Sequence, residues 1–237
     1  MTLTAKNGES AGLILGRKLD SIPFSPYHIV LILVLGFVGF VEGYDLALSG
    51  SLLVLAKGPL HMTPAEIRWL AVAPQLMVVI GGFSAAAMSD RVSRVGVMQA
   101  GVIISTFCTL LIVLANDAEQ LIILRLITGF GLGFTISAPF PIAAELMPAQ
   151  HRRTYGAIYE VMLALSFTLL PVAGGLLAHT TDGYRYVGLP GGVTLFIAPL
   201  LIYFLLPESP RWLLRRGRIE DAVNTVNMLI RRCGNKV

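Results

Sequence analysis

Charge is scarce in this sequence. Only 14% of its 237 residues are Asp, Glu, Lys or Arg, while 55% are hydrophobic; a water-soluble domain carries about a quarter charged residues. Water is therefore not its main solvent, in line with a mean hydropathy of +0.74. Cysteine is nearly absent, with Cys108 and Cys233 alone, which excludes a disulfide-stapled scaffold. Glycine shows no period of three and the apolar content is high, so collagen-like and disordered chains are excluded as well. Cys108, the four histidines and the methionines have no metal-ligand spacing, and no nucleophile or nucleotide motif occurs. Neither a metal site, a cofactor nor an enzymatic activity is expected. The first 26 residues lack the apolar core and small-residue cleavage site of a secretory signal peptide, so the N-terminus is expected to stay attached.

Long apolar runs are what the sequence does have. A span needs about 20 mostly apolar residues, so a chain of this length holds about six. The runs predict helices near 28–50, 68–88, 96–115, 120–144, 155–179 and 187–206. All should be helical, because unpaired backbone groups cannot face lipid and no alternating pattern suggests a barrel. The expected fold is thus all-α and polytopic: an N-terminal segment over 1–27, a six-helix bundle over 28–206 and a tail over 207–237. In the tail, residues 218–223 with Val226, Leu229 and Ile230 recur at helical spacing, which predicts an amphipathic helix lying at the cytoplasmic surface.

Basic residues gather in the gaps between runs, which reads as topology rather than as a nucleic-acid patch. Placing the N-terminus, the 89–95 and 147–153 loops and the tail on one side collects 14 of the 18 Lys and Arg residues. Both termini are therefore expected in the cytoplasm of a protein of the plasma or inner membrane.

Four ionisable residues sit inside the apolar runs: Glu42 and Asp45 in the first, Arg125 in the fourth and Glu160 in the fifth. Each costs roughly 2.5–3.5 kcal/mol there unless it faces a partner or a cavity. Glu42 and Asp45 are three residues apart and share a helical face that can look into the bundle. Asp45 and Arg125 fall at matching depths from the same end of their helices. A carboxylate whose arginine contact can be made and broken changes its affinity for protons, which is what proton coupling requires. The alternative is a static buried ion pair that only orients the helices. Glu160 is deep enough to need a cavity, and Gln75 could bind solute or merely bond a neighbouring helix. Gly36, Gly39 and Gly43, and Gly129, Gly131 and Gly133, permit close helix contact, while Pro74, Pro139, Pro141, Pro171 and Pro199 can kink their spans.

These residues carry a resemblance. Pro207-Glu208-Ser209-Pro210-Arg211-Trp212, with Leu213, Leu214, Gly217, Arg218 and Ala222 after it, resembles the major facilitator superfamily, in particular its sugar-porter and aromatic-acid:proton symporter branches. Ala144-Glu145-Leu146-Met147-Pro148 with Arg152, and Arg125 with its following glycines, are similar to fourth-helix signatures of the same family. Glu42-Gly43-Tyr44-Asp45 resembles the acidic first-helix pattern of aromatic-acid symporters, with Glu where Asp is usual. The loop after the second span resembles the family's Gly-x-x-x-Asp-Arg-x-Gly-Arg signature, keeping Asp90, Arg91 and Arg94 but placing Ala86 and Ser93 at its two glycines.

The resemblance covers about 28–222 and implies half of the usual twelve-helix fold. It implies that Asp45 carries the proton with Arg125 as its partner and Glu42 beside them. It sets Glu160 where sugar porters have a substrate-binding glutamine, which argues against an ordinary hexose. Asp90, Arg91, Arg94, Glu145, Arg152, Glu208 and Arg211 would form an ion-pair cluster that latches one gate, unless they are only topology-setting charges. The expected function is proton-coupled symport of a small organic solute, an organic or aromatic acid before a sugar. Such a half needs the bilayer and a partner, either a second copy or a separate C-terminal half. A non-transporting receptor or scaffold, or a truncated fragment, is the alternative.

Overall fold

The computed structural model describes residues 24–180 and 182–233. The N-terminal segment before 24 and the last residues of the tail, including the charges Lys6, Arg17, Lys18 and Lys236, lie outside them.

Local signals set the helix starts. Ser25 caps α1 (Pro26–Leu55), with Pro26 in the first turn and the backbone N–H of Ser25 donating to His28 Nδ1 at 3.2 Å. Thr63 caps α2 (Pro64–Ser89) in a capping box, its N–H donating to Glu66 Oε2 at 2.7 Å. Ser93 caps α3 (Arg94–Leu111), which continues as a 3₁₀ turn over Ile112–Leu114. Asp117 caps α4 (Ala118–Ile136). α6 spans Arg152–Leu177 and keeps Pro171 inside it, as α2 keeps Pro74. Among the described residues, six segments are long and apolar enough to cross a membrane.

Two spans are less regular than their apolar runs predict. The fourth stops at Ile136 and resumes as α5 (Pro139–Leu146), because a proline has no N–H to continue the ladder and takes the first position of the new helix instead. The sixth is broken into α7 (Gly183–Tyr186), α8 (Leu189–Val193), a 3₁₀ turn over Thr194–Phe196 and α9 (Ala198–Leu205). Pro190, Gly191, Gly192 and Pro199 fall within that stretch. Its first pieces are tied down from outside: the Tyr44 hydroxyl donates to the Val187 carbonyl at 2.6 Å and the Tyr184 hydroxyl to that of Ala115 at 3.0 Å.

Glycine governs the closest crossings. Gly129 and Gly133, four apart on α4, face α2: a Cβ on Gly129 would meet the Pro74 carbonyl, and one on Gly133 the Val78 carbonyl and the backbone of Gly81 and Gly82. Gly131, between them, faces α3 instead, against Gly101 and Ser105. On α1, a Cβ on Gly39 would lie 2.7 Å from the Tyr159 ring of α6.

The interior is two apolar clusters stacked along α1. One holds Tyr27 to Val41 of α1 with Met98, Val102, Ile142, Tyr155 and Ile202; the other holds Tyr44 to Leu55 with Leu70, Ile112, Leu121 and Leu170. Glu42 and Asp45 lie where one gives way to the other.

The tail forms α10 (Pro210–Arg215) and α11 (Ile219–Arg232), joined through Gly217 at φ +72°. A side chain there would be strained. The amphipathic pattern buries Ala222, Val226 and Leu229 in the first cluster beside the start of α1, so the bundle itself takes up that face. Ile219 and Val223, of the same apolar pattern, are 40% and 39% exposed. Arg232 fastens the contact, its guanidinium 5.0 Å from the Tyr27 ring centre and its Nη1 3.0 Å from the Tyr27 hydroxyl.

Candidate functional site

Asp45 on α1 and Arg125 on α4 meet in the interior, each 1% exposed, with Nη1 3.8 Å from Oδ1. The contact is held from three helices. Arg125 Nη2 donates to the Asp45 carbonyl and to Ser49 Oγ, both at 2.7 Å, and Thr109 of α3 donates to Asp45 Oδ1 at 2.6 Å. The pair is incompletely satisfied: Asp45 Oδ2 and Arg125 Nε and Nη1 have no hydrogen-bond partner among the described residues. Groups left so in a low-dielectric interior are costly, and a small rearrangement or an entering molecule can relieve the cost. The arrangement can therefore exchange partners around the carboxylate, which a fully bonded tie could not do cheaply.

Glu42 is buried too, as its place on α1 predicts, but it does not join that pair. Its Oε2 accepts a hydrogen bond from the Tyr159 hydroxyl of α6. Three residues along a helix turn a side chain by about 60° from its predecessor, enough for Asp45 to look towards α3 and α4 while Glu42 looks towards α6. Tyr159, Thr109 and Ser49 were not singled out by sequence.

Glu160 and Gln75 stand exposed, on α6 and α2. Those two helices are the least enclosed: α6 buries only Tyr155, Tyr159, Ser166, Leu170 and Gly174, and α2 only Leu70, Ala73, Pro74, Gly81 and Ala85. Their outer faces are rich in large apolar side chains, including Val161, Leu165 and Leu176 on α6 and Trp69, Leu76 and Phe83 on α2.

At the end of the bundle where α1 starts, the expected ion-pair cluster is partly assembled. Arg94 Nη1 lies 2.6 Å from Glu145 Oε1, joining the start of α3 to the end of α5. Two serines extend it. Ser209 donates to Glu145 Oε2 while capping α10, and Ser93 donates to Glu208 Oε2 while capping α3. Serine in the place of a signature glycine thus has a task, that of linking the loop after α2 to the segment before α10. Arg152 reaches the Met147 carbonyl at 3.3 Å. Asp90 pairs instead with Arg215, at 3.7 Å, where both are more than half exposed and the contact contributes little. Arg91 and Arg211 are exposed, and no ion pair brings either into the cluster among the described residues.

Six spanning helices wrapped around a buried carboxylate and guanidinium define a polytopic α-helical membrane protein. The chain belongs to the major facilitator superfamily, whose family model matches residues 35–229. It is 25% identical over 206 residues to the inner membrane metabolite transport protein YgcS of Escherichia coli, covering 86% of this chain and 46% of that one. To the 4-hydroxybenzoate transporter PcaK of Pseudomonas aeruginosa it is 26% identical over 211 residues, covering 88% and 46%. The chain thus spans about half the length of the curated relatives it matches. Among solved structures, the partially occluded inward-open xylose transporter XylE from E. coli superposes with a TM-score of 0.74 at 21% identity, over 87% of this chain and 54% of that one. That likeness shows the fold.

Proposed function

We propose that this chain is the N-terminal half of a proton-coupled symporter of the inner membrane, with both termini in the cytoplasm, moving a small organic solute by alternating access against a second six-helix half. The observation that carries the reading is the Asp45–Arg125 pair, fully enclosed yet left with unbonded donors and an acceptor. Buried intramembrane charge marks ion and substrate paths. The sparsely covered outer faces of α2 and α6 are where a second half would pack, and Gln75 and Glu160 lie on them, ready to line the space between. An organic or aromatic acid is preferred to a sugar, with Arg125 as the buried cation and PcaK among the relatives. Whether the second half is another copy or a separate chain follows from its native mass in mild detergent. The cluster around Arg94, Glu145, Ser209 and Glu208 serves as the latch of the cytoplasmic gate.

The test is uptake of labelled 4-hydroxybenzoate and xylose by cells expressing the chain, under an imposed gradient acid outside. Asp45→Asn is expected to remove the pH-driven part of the uptake altogether. Accumulation that still follows the gradient in this variant sinks the assignment. Glu160→Gln is expected to change the preference between the acid and the sugar while leaving acid-driven uptake in place. Unchanged preference and unchanged pH dependence would take Glu160 out of the site.

A further inference from the structure

Outside the spans, the loop after α2, the segment before α10 and the first turns of α11 enclose a cavity of about 510 Å³, none of whose lining residues belongs to the Asp45–Arg125 site. Small-molecule pockets run from roughly 300 to 1,000 Å³. Val92, Leu213 and Met228 give this one an aliphatic side, and Glu208, Trp212 and Arg218 a polar one. Val92 and Arg218 are exposed, so the cavity is open to a solute in water. Two groups in its wall lack what their chemistry asks for. Trp212 is 4% exposed, and its indole Nε1–H, which can only donate, has no hydrogen-bond partner among the described residues. Glu208 accepts one hydrogen bond on each oxygen, from the Ser93 hydroxyl on Oε2 and from the Ser209 N–H on Oε1 at 2.9 Å, which leaves each a lone pair to spare. No Lys, Arg or His lies within ion-pair distance of it among the described residues. At the rim, Arg218 holds Asp221 through Nε, at 2.7 Å, and its terminal guanidinium nitrogens can serve a second anion.

The cavity thus offers donors without an acceptor beside a carboxylate without a cation. A simple anion would leave Glu208 uncompensated and meet its repulsion, and a simple cation would leave the indole N–H stranded. A molecule carrying both charges answers both. We propose that the cavity binds a small ammonium–carboxylate zwitterion with an aliphatic side chain, of the amino-acid class. Its ammonium donates to Glu208, its carboxylate accepts from Trp212 Nε1 and from Arg218, and its side chain lies against Leu213 and Met228. Binding is non-covalent and no bond changes. Because Glu208 is also bonded to Ser93, the occupant ties the loop after α2 to α11. The binding stands by itself, and its effect on a cytoplasmic gate rests on the function proposed above.

Tryptophan fluorescence of the purified full chain in detergent tests this. The sequence holds two tryptophans, and Trp69 is 59% exposed on α2, so Trp69→Phe leaves Trp212 as the sole reporter from the cavity wall. The probes are L-leucine, L-leucinamide, which lacks the carboxylate, and 4-methylpentanoate, which lacks the ammonium. The expected result is a saturable change in Trp212 emission with leucine, and binding at least about tenfold weaker for either single-charge analogue, as loss of one charge-assisted hydrogen bond implies. Arg218→Gln, a change at the exposed rim, should weaken leucine by about the same factor and leave leucinamide unaffected. No saturable response to leucine, analogues that bind as well as leucine, or leucine binding indifferent to Arg218→Gln overturns the proposal. Uptake plays no part in this readout, so failure of proton-coupled transport and failure of the cavity assignment are told apart.

Discussion

Arg125→Ala is expected to destabilise the bundle by about 3–5 kcal/mol, the usual cost of stranding one member of a buried ion pair. The Asp45 carboxylate would lose its counter-charge, and the Asp45 carbonyl and Ser49 hydroxyl would lose the donor that now serves both at 2.7 Å. Thr109 alone cannot replace it. Removing both charges behaves differently, because two apolar side chains of similar volume leave nothing stranded. Asp45→Leu with Arg125→Leu is therefore expected to recover most of the loss, while pH-driven uptake stays absent. Equilibrium unfolding of the purified chain in mixed detergent, run as a double-mutant cycle, reads the first quantity. If the double variant is no more stable than Arg125→Ala, the two residues do not interact as the structure shows. Recovery of stability without recovery of uptake would separate what the pair does for coupling from what it does for folding.

The second large effect is expected from a single methyl group. Gly133 of α4 lies against the backbone of α2, where a Cβ would come within 2.5 Å of the Gly82 nitrogen and 2.7 Å of the Gly81 carbonyl carbon. Backbone cannot swing aside as a flexible side chain can, so the helices must separate along their crossing. Gly133→Ala should cost about 1–3 kcal/mol, the range for overfilling a packed contact. Gly175→Ala is the matched control, since a Cβ there meets nothing within 4 Å. It should be neutral or gain about 0.4–1 kcal/mol from a less flexible unfolded chain. Thermal unfolding in detergent distinguishes them, and equal behaviour of the two variants would mean that the α2 and α4 crossing is looser than described.

The six spans were legible because lipid demands continuous apolar length. Their starts at Pro26 and Pro64 were not, because Ser25, Thr63 and Glu66 are polar and fall outside any apolar run, although they are what caps the helices. The breaks at Pro139 and around Gly191 eluded hydropathy for the opposite reason: proline and glycine interrupt a ladder without interrupting apolar character. Asp45 and Arg125 stood out because charge is rare in a span, and rarity is visible in one dimension. Tyr159 did not, since a tyrosine in an apolar stretch is ordinary until its hydroxyl is seen against Glu42. Ser93 was visible only as a departure from a signature, and its bond to Glu208 depends on a fold that brings together residues 115 apart in sequence.

Ala222, Val226 and Leu229 share their cluster with Tyr27, Leu31 and Leu35. The first and the last described helices therefore complete a single core. Until α11 has been made, the leading turns of α1 have only part of their packing, and Tyr27 waits for Arg232 to cover it. Maturation at that end is therefore expected to follow the arrival of α11 rather than membrane insertion of the sixth span. Ribosome-stalled chains arrested before residue 219 should consequently expose a protease-sensitive α1 start that chains carrying α11 protect.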